Sequence, residues 1–110
     1  MKLPNRECAF IQPQKLIGYL LSETHSVGRS KAKLLRSMGF SEANLVMLEQ
    51  ALLAIAYSEE VQEVADSPHG KKFVIDGEIM TPTGKIVQLR TVWIIDTGET
   101  NPRFVTAHPL

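Results

Sequence analysis

Over the last third of the chain, apolar and polar residues alternate with the period of two that marks a half-buried strand. In KIVQLRTVWII (85–95), Val87, Leu89, Thr91, Trp93 and Ile95 fall on one side, and Gln88 and Arg90 on the other. KFVIDGEIM (72–80) sets Phe73, Ile75 and Ile79 against Asp76 and Glu78, and RFVTAHPL (103–110) sets Val105 and Ala107 against Thr106 and His108. TPTG (81–84) and GETNP (98–102) supply turns between the three runs.

The first half follows a helical period instead. A helix opening near Gln12–Pro13 carries Leu16, Ile17, Leu20 and Leu21 as one stripe. A second takes RSKAKLLRSM (29–38) and stops at Gly39, and Ser41 caps a third that bears Leu45, Leu48, Leu52 and Ile55. Residues 1–10 read as an irregular lead-in, and EEVQEVADSPHG (59–70) as a frayed helix end and linking loop.

Helices followed by a meander predict an α+β fold: two layers, with N-terminal helices on one face of a three- to four-stranded antiparallel sheet. The other face is then open, and it gathers Asp76, Glu78, Gln88, Arg90, Thr106 and His108. Val92 and Ile94 share that face. They predict partial cover, from the lead-in, the terminal loops or a second copy that also covers Phe104.

A length of 110 residues fits a single domain spanning 1–110, and 44% apolar residues suit a globular core. Twelve basic residues balance twelve acidic ones, so no long-range field recruits nucleic acid or membrane. One cysteine, Cys8, excludes an internal disulfide and a cysteine-cluster metal site. No run approaches the ~20 apolar residues of a membrane span, and MKLPNRECAF lacks the apolar core of a signal peptide. A cytoplasmic location is expected. The histidines (25, 69 and 108) show no metal-binding spacing, so no metal or other cofactor is expected.

Two groups of residues can carry chemistry. On the sheet, Arg90 offers a phosphate-matching fork, His108 an acid–base group, and Thr106 a hydroxyl. Asp76 or Glu78 can act as a base. That set suits metal-free phosphodiester transesterification in RNA. The pattern alone favours a solvated face with cross-strand pairs such as Arg90 with Glu78. The second group is HSVGRSKAK (25–33), the one locally basic stretch. Arg29, Lys31 and Ser26 are its phosphate-binding candidates. Its structural reading is a capped helix with solvated cations. Trp93 belongs in the core, and Tyr19 and Tyr57 at core edges.

The segments LPN (3–5), KLIGYLL (15–21), HSVGRSKAKLLRSMGF (25–40), LRTVWII (89–95) and PRFVTAHPL (102–110) resemble a small bacterial domain family of unknown function. Similar domains end larger phage- and toxin-like proteins. More distantly, the layout resembles the barnase–EndoU–colicin–RelE-like ribonucleases. That resemblance implies an active site on the open sheet face, with Arg90, Thr106 and His108 in place and His25 and Lys31 added from the helices. It implies RNA as substrate, or a cognate protein as partner. Three readings follow: a toxin-type ribonuclease, a non-catalytic protein-binding module or antidote partner of a toxin, and a dimer closed over Val92, Ile94 and Phe104.

Overall fold

The computed structural model describes residues 1–22, Thr24 and 29–110. A 3-10 turn (Arg6–Cys8) precedes α1 (Pro13–Lys15), which has proline at its first turn and widens into a π-helical stretch, Leu16–Leu20. Leu21 N–H closes that stretch on Leu16 O, five residues back, at 2.8 Å. α2 (Arg29–Ser37) ends at Gly39, whose φ of 97° is the left-handed stop the sequence predicts. Ser41 then forms a capping box: its Oγ accepts from Ala43 N–H, and its own N–H donates to Asn44 Oδ1. A 3-10 turn (Glu42–Asn44) leads into α3 (Leu45–Ser58).

Four strands follow: β1 (Val61–Ser67), β2 (Gly70–Met80), β3 (Ile86–Asp96) and β4 (Arg103–Pro109). They pair antiparallel in sequence order. The expected loop over 59–70 is therefore mostly an edge strand. The five central residues of β1 are all exposed, so no burial period marks them, and Val61 and Val64 three apart imitate a helix.

The helices cover one face of the sheet. Leu16, Leu20, Leu35, Leu48, Leu52 and Ile55 pack there on Phe73, Ile75, Val87, Leu89 and Trp93. Gly77 permits this close approach, because a Cβ on it would stand 2.8 Å from Ile55 Cγ1. Trp93 and Phe104 meet edge to face with centroids 5.2 Å apart. The lead-in adds a short parallel bridge beyond β4: Phe10 N–H donates to Pro102 O and Phe104 N–H to Phe10 O, each at 3.0 Å.

The apolar patch expected on the open face shrinks to Val92, which is half-buried. Phe104 is fully buried in the core, and Ile94 is only 3% exposed. β4 holds an extra residue between the Val92 and Trp93 pairings, and this bulge turns Phe104 inward. Ile94 lies beside Arg103, whose fork holds Asp96 with two 2.9 Å bonds. Of the three residues proposed for a dimer, Val92, Ile94 and Phe104, only the half-buried Val92 is left to cover.

Candidate functional site

Register builds the sheet half of the site. β2 and β3 set Asp76 opposite Arg90, and β3 and β4 set Arg90 opposite His108. The three stand in one row across three strands. Arg90 is paired with Asp76, not with Glu78, which faces Gln88. The turn explains the difference. Thr81 N–H and Oγ1 both donate to Lys85 O, so residues 81–85 make the connection and fix the pairing two positions from the expected one. Arg90 Nε and Nη2 donate to the two Asp76 oxygens at 2.8 and 2.9 Å.

The hydrogen bonds from Arg90 are the main force holding the Asp76 carboxyl below its usual pKa; burial opposes them, and the charges of Arg90 and His108 help. A carboxyl depressed in the folded state stabilises the fold above its unfolded pKa, and that stabilisation is lost as pH falls through the folded value. Wild type is therefore expected to melt above Asp76→Asn at neutral pH, with the gap closing below about pH 4. Melting curves from pH 7 to 2.5 check this. A gap constant with pH would assign the contact to packing alone.

The other half joins the helical layer to β4. Lys31 Nζ, on α2, donates to Tyr19 Oη at 2.7 Å and to Thr106 Oγ1 at 3.3 Å. Tyr19 Oη and Thr106 Oγ1 are 2.9 Å apart. Lys15 and Lys31 each place a cation 5.0 Å from the centre of the Tyr19 ring. Burial raises the phenol's pKa, but the hydrogen bonds of Lys31 and Thr106 and the two lysine charges outweigh it. The net shift is downward. The halves adjoin, because Lys31 and His108 both line a small apolar cavity of about 10 Å³ with Leu20, Leu35 and Ala107.

Of the predicted site residues, Arg90 and His108 thus share a row, and Thr106 and Lys31 share hydrogen bonds. Arg29 is exposed at the start of α2. His25 and Ser26 lie outside the described residues. Arg36, just past the basic stretch, is structural: it donates to Leu21 O and to both Glu42 oxygens. Sequence reasoning missed Tyr19 and Lys15. A phenol four residues after a lysine on one helix was the available signal, since such residues share a face. Beyond Arg90 the chemistry reverses: Glu59, Asp76, Gly77, Glu78 and Gln88 line an acidic cleft of about 260 Å³. Among the described residues no group of three or more histidine, cysteine, aspartate or glutamate side chains is placed to hold a metal ion, and no helix is long and apolar enough to cross a membrane.

The fold has a solved counterpart. A chain of the contact-dependent growth inhibition toxin–immunity protein complex from Klebsiella pneumoniae 342 superposes with a TM-score of 0.75, over 96% of each chain at 15% identity. At that identity the likeness shows the fold. No curated protein matches the chain in sequence. The family model for a domain of unknown function, DUF6883, spans residues 2–110, and the chain belongs to that family.

Proposed function

We propose that the protein is a metal-independent ribonuclease of toxin type, kept in check by a cognate protein. The observation that carries this reading is the cluster of Lys31, Tyr19 and Thr106 beside His108. It combines a cation, a phenol biased toward ionisation, a hydroxyl and an imidazole. The likeness to a chain of a toxin–immunity complex supports a toxin-associated role with a protein partner.

In this mechanism Lys31 and Thr106 hold the non-bridging oxygens of the scissile phosphate. His108 takes the proton of the 2′-hydroxyl, whose oxygen attacks phosphorus. The bond from phosphorus to the 5′-oxygen breaks, and Tyr19 gives that oxygen its proton. The resulting phenolate is stabilised by Lys15 and Lys31. The products are a 2′,3′-cyclic phosphate and a 5′-hydroxyl. Arg90 serves here in support, because two of its donors already hold Asp76. The acidic cleft past Arg90 repels phosphates, so the RNA strand runs on the α2 side, where Arg29 and Lys33 are exposed.

One observation favours the second reading, a non-catalytic protein-binding module: the Arg90 fork is filled. A single experiment decides. Purified protein is incubated with total cellular RNA in EDTA, beside Lys31→Ala, Arg90→Ala and His108→Ala. Expected are cyclic-phosphate ends from wild type, loss with Lys31→Ala and His108→Ala, and a smaller loss with Arg90→Ala. No cleavage by folded wild type, with or without ribosomes, would leave the binding module standing.

A further inference from the structure

α3 carries one charged residue, Glu49, in fourteen. A helix apolar on all sides belongs inside a protein, yet this one shows solvent a full-length stripe. Ala43, Val46, Met47, Gln50, Ala54 and Tyr57 are exposed, Val46 to 68% and Tyr57 to 55%. The stripe is uneven. Its first half projects Val46 and Met47. Its second half borders a cleft of about 350 Å³ lined by Arg6, Glu7, Ala9, Gln50, Leu53, Ala54 and Tyr57.

We propose that this face binds a second copy of the chain, with the two α3 helices antiparallel and Gln50 at the two-fold axis. The pairing follows by counting outward from Gln50. Three positions away, Met47 meets Leu53 of the other copy. Four positions away, Val46 meets Ala54, and seven away, Ala43 meets Tyr57. Large residues thus oppose small ones at the outer two steps, and the projecting Val46 and Met47 enter the partner's cleft. Each Gln50 amide can both donate and accept across the axis.

Charge fits the same operator. Arg6 stands over the Tyr57 ring, 5.1 Å from its centre, and its Nε is buried with no hydrogen-bond partner among the described residues. Such a group is costly to leave unpaired. At the opposite end of the stripe is Glu42, an exposed carboxylate that receives one guanidinium, Arg36. An antiparallel pair brings each Arg6 to the other copy's Glu42, at both ends of the interface. A different protein would have to supply both the knobs and the carboxylate; the chain already holds both along one stripe. The inference does not rest on the catalytic reading, since the exposed face of α3 makes no hydrogen bond to the Lys31 cluster.

The test is sedimentation equilibrium of the full chain over a range of concentrations. The mass is expected to rise from 12.3 kDa to twice that. Val46→Arg, a change at an exposed position, is expected to remain monomeric with an unchanged circular dichroism spectrum. Arg6→Gln is expected to weaken association at least about tenfold. In a Cys8→Ser background, Gln50→Cys should oxidise to a covalent dimer, while Lys72→Cys on the far sheet face should not. Wild type monomeric at all concentrations would overturn the proposal. A dimer that survives Val46→Arg would do so as well. So would a monomer whose Val46-dependent ligand is RNA or another protein.

Discussion

Replacing Tyr19 by Phe is expected to slow RNA cleavage about 100- to 10,000-fold, the range for loss of a positioned proton donor. The ring stays, so its packing and the cations of Lys15 and Lys31 over its face are kept. Only the hydroxyl shared with Lys31 and Thr106 is lost. A structural role for that hydroxyl would lower the rate equally for every substrate. A proton donor to the leaving oxygen would not. With uridine 3′-(p-nitrophenyl phosphate), the leaving group departs as a stable anion and needs no proton. The defect of Tyr19→Phe is therefore expected to shrink to within about tenfold on that ester, while Lys31→Ala stays impaired on both substrates. An equal loss on both would remove Tyr19 as the acid and leave it a positioning residue.

The hydrogen-bond partners of Tyr19 were illegible in the sequence for a physical reason. They are Lys31, twelve positions away, and Thr106, eighty-seven away. No local period reports such a contact, and within its own helix Tyr19 reads as the margin of the stripe of Leu16 and Leu20. The sheet was legible because burial on one face imposes strict alternation, and Val87, Leu89, Thr91 and Trp93 obey it. β1 escaped for the converse reason, being exposed along its length. The partner of Arg90 was decided by the register that the turn sets. With Lys85 in the turn, Asp76 stands opposite Arg90 and Glu78 opposite Gln88. Alternation put the right residue types on one face, and the turn chose among them. The bulge in β4 lay equally beyond the pattern, and it moved Phe104 from the expected patch into the core.

Thr91 shows how alternation can place a residue without revealing its work. It sits among apolar neighbours on the core face and is fully buried. Its hydroxyl donates to Ile75 O at 2.6 Å and accepts from Trp93 Nε1 at 2.8 Å. Those two bonds let a tryptophan, which brings an obligatory N–H donor, occupy the driest part of the core. Thr91→Val keeps the shape and deletes both bonds. An indole N–H buried without an acceptor costs about 1–3 kcal/mol, and the lost bond to Ile75 adds about 1 kcal/mol. The melting midpoint is then expected to fall by roughly 10 °C or more for a domain of this size. Thr91→Ser keeps both bonds and loses one methyl group, so it should cost about 1 kcal/mol. Chemical denaturation of the three proteins separates the terms. If Thr91→Val costs nothing, the hydroxyl contributes nothing beyond its volume, and Trp93 is held by packing in the core alone.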